Sequence, residues 1–113
     1  MAQFEHLPIY KQSYNLLIEF HKLLPNFPKK YKFTIGSEII NDLTKGILMV
    51  VQVNRRKEKS DLLEELILLF EKVKLQIRIL KSLEVISKEL YFNLSDKIIQ
   101  ILKQCEGWKK QVK

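Results

Sequence analysis

Apolar residues recur at helical spacing through almost the whole chain, and this periodicity restricts the fold more than any other feature of the sequence. Only three glycines and three prolines interrupt it. The pattern predicts four helices, over about residues 8–24, 35–54, 61–83 and 88–105, and no alternation typical of strands competes with it. Four such helices joined by short turns favour one all-α domain, residues 1–113, folded as an antiparallel up-and-down four-helix bundle.

The ends of these helices are expected at capping residues. Thr34, Ser60 and Ser87 are predicted to cap the second, third and fourth helices, because a hydroxyl can accept a hydrogen bond from a free amide of the first turn. For the fourth helix, a later break at residues 93–95 is the alternative, and we favour Ser87. Gly107 is expected to end that helix, since glycine is the commonest residue just beyond a helix.

The second helix is apolar over more of its surface than one neighbouring helix would cover. Such a helix either lies centrally in the fold or packs against another subunit, because a monomer seldom exposes a large contiguous apolar patch. We therefore expect an oligomer, with an interface that includes Ile40, Ile47, Leu48 and Val51.

The chain is strongly basic, with 20 Lys and Arg against 13 Asp and Glu. A net charge of +7 on a small domain concentrates polyanions around it, so nucleic acid or an acidic partner is implied; the alternative is that the charge only serves solubility. The single Cys105 has no partner for an internal disulfide. Since the sequence also shows no apolar signal stretch and no run long enough to span a membrane, we expect a soluble, cytoplasmic protein.

Combinations of residues typical of enzymes are missing. His6 and His21 lack metal-ligand spacing, and His21 is expected on the apolar seam of the first helix. Neither the Glu-x-x-His pairs of di-metal bundles nor a phosphate-binding glycine loop occurs. Cys105 is expected to be a small buried residue and not a nucleophile. The sequence therefore predicts a protein without catalytic activity, metal or other cofactor.

The third helix separates its charges, with acidic residues at its beginning and basic residues further on. Lys74, Arg78 and Lys81 recur at helical spacing and predict a basic ridge, with Lys72 beside it and Glu71 as the nearby carboxylate. This pattern favours a ligand-facing surface over an ordinary solvated face, which would mix both signs. Binding of phosphates by such a ridge is expected to be salt-sensitive and largely independent of base sequence.

Further cations are predicted at both ends of the bundle. The segment LPNFPKKYKF, residues 24–33, cannot continue the first helix because its prolines lack an amide donor, so we expect a loop. Its aromatic rings either stack on bases or cap the core, and we prefer the second explanation for Phe27 and Phe33. Arg55 and Arg56 begin a charged turn at the other end. The segment 24–33 combines three lysines with three aromatic residues: Lys29, Lys30, Lys32, Phe27, Tyr31 and Phe33.

The order of these features resembles the accessory variability determinant (Avd) proteins of diversity-generating retroelements. The resemblance rests on FPKKYKFTIGSEI at 27–39, on the apolar second helix running into NRRKEK at 54–59, on the basic third helix, and on EGW at 106–108, which is similar to the family's Gly-Gly-Trp. It covers about residues 8–110.

This resemblance implies a homopentameric barrel whose basic surface binds nucleic acid and the retroelement's reverse transcriptase. Together they would copy a template RNA into mutagenised cDNA. Family positions tied to these contacts match Lys74 and Arg78, and the apolar second helix would suit the subunit interface.

A second group of four-helix proteins, encoded in ribosomal RNA intervening sequences, shares this fold. These proteins end the second helix with Asn-Ile-x-Glu-Gly, where VQVNRRKE stands here at 51–58. We therefore expect a nucleic-acid-binding accessory protein of a reverse transcriptase. The alternative is a protein-interaction bundle whose apolar second helix docks a partner and whose charge has no role in binding nucleic acid.

Overall fold

All regular structure in the computed structural model, which describes residues 4–112, is helical. Four long helices account for most of it: α1 (Pro8–Leu23), α2 (Ser37–Arg55), α3 (Ser60–Ser82) and α4 (Lys88–Gln111). The predicted all-α fold with four helices is confirmed. None of the helices in the described part of the chain is long and apolar enough to cross a membrane.

The four helices enclose a common core. α1 and α3 each pack against both α2 and α4, so every long helix contacts two others. The largest side chains with no appreciable exposure come from all four helices and follow the apolar periodicity: Leu16, Phe20, Ile39, Leu43, Leu63, Leu66, Phe70, Ile77, Leu80, Leu94, Ile98 and Ile101.

The segment between α1 and α2 is helical, so the predicted loop is wrong. A 3-10 turn (Leu24–Asn26), one α-helical turn (Lys29–Tyr31) and a π turn (Lys32–Gly36) lead directly into α2. The prolines are tolerated because Pro25 lies in the first residues of one short turn and Pro28 precedes the next, where no amide donor is needed.

Two of the predicted caps are also wrong. Thr34 lies inside the π turn, where its hydroxyl donates to the carbonyl of Lys30 at 2.6 Å. Ser60 is already the first residue of α3 and makes no capping hydrogen bond. Lys59 instead closes the end of α2, because its ammonium donates to the carbonyls of Val53 and Arg56 at 2.6 and 2.5 Å.

The fourth helix begins as predicted and ends later. The Ser87 hydroxyl accepts from the amide of Leu90 at 3.1 Å, which confirms the cap. Gly107 does not end the helix, which continues to Gln111. Beyond the glycine, Trp108 packs against the core and Lys109 forms an ion pair with Glu64 of α3. These tertiary contacts outweigh the low helix propensity of one glycine.

The turn from α3 to α4 is held by a Schellman motif. The amide of Glu84 donates to the carbonyl of Lys81, and that of Val85 to the carbonyl of Leu80, both at 2.9 Å. Glu84 has a φ of 59°, in the left-handed region where glycine is usual. The tight reversal brings the last turn of α3 and the first turn of α4 side by side.

Close approach of α2 and α3 depends on Gly46. A Cβ atom on this residue would lie 2.8 Å from Cε1 of Phe70, whose ring is fully buried on α3. α2 can therefore lie against both α1 and α3, and this position explains why much of its apolar surface is buried within a single chain.

A pair of glycine substitutions tests this packing. Gly46→Ala should lower the free energy of unfolding by about 1–3 kcal/mol, because the added methyl overlaps Phe70. Gly107→Ala is the control, since nothing lies within 4 Å of its Cβ position, and should raise that free energy by about 0.5–1 kcal/mol. Urea unfolding measures both. A Gly46→Ala variant as stable as Gly107→Ala would contradict the packing described.

Candidate nucleic-acid interface

The cations of α3 do not share one side of the helix. Each residue turns an α-helix by about 100°, so Lys72 and Lys74 point in nearly opposite directions. Between them runs a stripe of exposed apolar side chains, Leu68, Leu75 and Ile79. α3 therefore has a side that faces α2, an exposed apolar stripe, and a side that faces α4.

Lys72 lies on the side of α3 that faces α2, and it is ion-paired there. Its ammonium is 3.1 Å from Oδ2 of Asp42 and 3.7 Å from Oε2 of Glu38. The buried Gln76 joins the same carboxylates, because its Nε2 donates to Glu38 at 2.7 Å and to Asp42 at 3.2 Å. The hydrogen bond to Asp42 raises the pKa of Lys72 above its ordinary value. The expected place of Lys72, beside the other ridge residues, is wrong because two positions along the helix turn its side chain to the opposite side of α3, where the carboxylates of α2 hold it.

Lys74, Arg78 and Lys81 share the side of α3 that faces α4. Lys74 is 3.9 Å from Glu71, the carboxylate predicted to be nearest. Arg78 is exposed and forms no ion pair or hydrogen bond within residues 4–112. The ammonium of Lys81 lies 4.9 Å from the ring centroid of Tyr91, in a cation–π contact.

Two of these cations, Lys74 and Arg78, line a groove of about 250 Å³ between α3 and α4. Its charged walls are Lys74, Arg78 and Glu71, and α4 contributes the ring of Tyr91 and the hydroxyl of Ser95. Two cations and one carboxylate give this groove a net positive charge. It offers donors for phosphate oxygens together with an aromatic surface.

The contribution of α4 was missed by sequence reasoning. Lys88, Tyr91, Phe92 and Ser95 stand at i, i+3, i+4 and i+7, a spacing that puts them on one side of the helix. The ring centroids of Tyr91 and Phe92 are 5.5 Å apart, and the ammonium of Lys88 lies 5.8 Å from the ring centroid of Phe92. This spacing of aromatic and basic residues is the sequence pattern from which the contribution of α4 could have been predicted.

The basic segment before α2 forms a second group of cations. Phe27 is buried, which confirms that it caps the core, but Phe33 is 68% exposed, so the same prediction for Phe33 is wrong. Tyr31 lines a cavity of about 420 Å³ together with Leu83 of the α3–α4 connection, so this segment lies at that end of the bundle. The three predicted lysines follow the chain through the short turns: Lys29 and Lys30 are exposed, Lys32 is half-buried, and Lys30 lies 5.0 Å from the ring of Tyr31.

Arg55 and Arg56 form a third group, next to the beginning of α3. Both are exposed and unpaired within the part of the chain that the structure describes. α3 has 23 residues and is therefore about 34 Å long, which separates these arginines from Lys81 by most of the bundle. The predicted basic residues thus belong to separate surfaces, and the α3–α4 groove brings two cations and an aromatic ring together in a cleft between two long helices.

The residues predicted for an oligomer interface are covered to different degrees. Ile47 is buried within the single chain, and Ile40 packs against the core. Val51 is half-buried, whereas Leu48 is 60% exposed. Leu48 therefore keeps the largest surface for a contact with another chain.

Groups that could carry chemistry are few. Residues 4–112 contain no cluster of three His, Cys, Asp or Glu side chains that could hold a metal ion. His21 is exposed, so its predicted place on the apolar seam is wrong. Cys105 is fully buried as predicted, and burial raises the pKa of its thiol to about 12, so the nucleophilic thiolate is not formed near neutral pH.

The fold and its surface define a basic four-helix bundle with a cationic, aromatic groove between α3 and α4. A model of the bAvd-like family matches residues 7–112, and the chain therefore belongs to this family. This match confirms the resemblance to Avd proteins. The family is an accessory, non-catalytic one, and membership suggests an accessory protein of a diversity-generating retroelement. Comparisons with curated proteins and with solved structures gave no match.

Proposed function

We propose that this protein binds nucleic acid through the α3–α4 groove and partners the reverse transcriptase of a diversity-generating retroelement. In this role it assists the mutagenic copying of template RNA into cDNA. Membership of the bAvd-like family supports the retroelement part of the proposal. The groove supports the nucleic-acid part.

The observation that carries the proposal is the state of Arg78. Its guanidinium is exposed, has no carboxylate partner in residues 4–112, and lies in the same groove wall as Lys74. A guanidinium presents donors in a planar fork that fits two phosphate oxygens. Lys72, by contrast, is already held by two carboxylates of α2, so we do not include it in the binding surface.

A surface of this kind holds nucleic acid by charge. Each phosphate that a lysine or arginine neutralises releases condensed counterions, so affinity falls steeply as salt rises. The groove offers two cations, Lys74 and Arg78, and a phosphate backbone presents its charges to them whatever the base sequence. Contacts to the phosphate backbone therefore dominate, and the affinity depends little on base sequence.

The exposed apolar stripe favours a second role, contact with another protein chain. Leu68 and Leu75 border a cavity of about 520 Å³ that reaches Met49 of α2. We propose that this region, with Leu48, takes part in the homo-oligomer or in the contact with the reverse transcriptase.

The antiparallel helix order and the pentameric barrel remain predictions. A protein-interaction bundle without a nucleic-acid role is the alternative function.

Charge-matched substitutions test the groove. Lys74→Gln and Arg78→Gln each remove one positive charge from it, whereas Lys72→Gln removes the same charge from the side of α2. We expect each groove variant to weaken RNA binding and to reduce the slope of log Kd against log salt concentration by about one, with little change for Lys72→Gln. Filter binding over a salt series measures this. Equal effects of all three substitutions would show that only net charge matters.

The retroelement role is tested by the genome around the gene. We expect a reverse transcriptase gene close by, together with a template repeat and a matching variable repeat in a target gene. Co-purification of the reverse transcriptase with this protein would then measure the partnership directly. A gene without either neighbour would contradict this part of the proposal and favour the interaction bundle.

A further inference from the structure

Phe92 is an exposed aromatic residue of α4. The core side of this helix is formed by residues such as Leu94 and Ile98, which are fully buried, whereas Phe92 is 56% exposed. A single exposed apolar side chain is common on protein surfaces and needs no explanation by itself. Here, however, the ring lies within a group of cations and beside a second aromatic ring.

The surroundings of Phe92 connect it to the groove. Its ring centroid is 5.5 Å from that of Tyr91, with an angle of 50° between the planes, and Tyr91 is a wall of the α3–α4 groove. Cations lie near both rings, Lys81 at 4.9 Å from Tyr91 and Lys88 at 5.8 Å from Phe92. A strand whose phosphates lie on the cations of the groove therefore passes next to two aromatic rings.

We propose that Phe92, supported by Tyr91, is a stacking site for an unpaired base, so that the protein binds single strands more tightly than duplexes. Aromatic rings flanked by lysines and arginines are the usual means by which proteins hold single strands without reading their sequence. In a duplex the faces of the bases are already covered by their neighbours, so an exposed ring adds nothing there. The ring contacts the base and not the sugar, and single-stranded RNA and DNA are therefore bound by the same contact.

This inference rests on the proposed function, because the phosphates must first be held by the groove. The groove cations and the stacking site require different features of the ligand. Arg78 and Lys74 act on any polyphosphate strand, single or double, whereas Phe92 acts only where a base is free to leave its stack. Substitutions at the two places therefore separate the two contributions.

The test compares the affinities of the full-length protein for three probes of equal length: an oligouridine strand, an oligodeoxythymidine strand and a blunt RNA duplex. Phe92→Ala should weaken binding of both single strands on the order of tenfold and leave the duplex affinity unchanged. Phe92→Trp keeps an aromatic ring and should retain the preference for single strands. Tyr14→Ala, which truncates an exposed aromatic residue on α1, is the matched control and should change none of the affinities.

Other results would overturn the inference. If Phe92→Ala weakens the single strands and the duplex equally, or weakens neither, Phe92 is not a stacking site. If sedimentation shows that Phe92→Ala changes the oligomeric state, Phe92 is a subunit contact and the inference fails as well. Arg78→Gln distinguishes these outcomes from failure of the proposed function, because it should weaken all three probes. A wild-type protein that binds none of them refutes the proposed function itself.

Discussion

The amide of Gln76 joins α2 to α3 at the point on which the distribution of charge depends. The amide is buried, and leaving its nitrogen Nε2 without partners would cost about 1–3 kcal/mol, so the hydrogen bonds from Nε2 to Glu38 and Asp42 help to fix how the two helices meet. Lys72 completes the group by pairing with the same carboxylates. The acidic residues that α2 offers to α3 are thus paired with Lys72 and Gln76 on one side of α3, and they do not reach the cations on the other.

On that other side, the cations of α3 meet a helix that offers rings and a hydroxyl in place of carboxylates. Lys74 and Arg78 line the groove with Tyr91 and Ser95, and only Glu71, from α3 itself, contributes a negative charge. The positive charge of the groove therefore remains available to a ligand. The fold separates a structural use of basic residues, between α2 and α3, from a use at the surface, between α3 and α4. This separation links the packing of the bundle to the proposed binding of nucleic acid.

Periodicity was sufficient to predict the four helices, and a single hydroxyl was sufficient to predict the start of α4 at Ser87, because both depend on neighbouring residues alone. Several wrong predictions concern positions whose structure depends on residues distant in the sequence. Gly107 stays helical because Trp108 and Lys109 find partners on other parts of the bundle. The helical turn places Lys72 opposite Lys74, and the carboxylates that pair with it there lie on α2, 30 and 34 positions earlier in the chain. Likewise, only packing shows that the aromatic residues of α4 border the cations of α3.

Lysine footprinting tests the central claim, that nucleic acid is bound by the cations along the α3–α4 groove, most directly. The protein is acetylated with an amine-reactive ester in the presence and absence of RNA, and mass spectrometry gives the modification of each lysine. The account predicts that RNA protects Lys74, Lys81 and Lys88 strongly, while Lys72 and Lys57 change little. Protection centred on Lys57, at the opposite end of α3, or equal protection of Lys72 and Lys74, would contradict it.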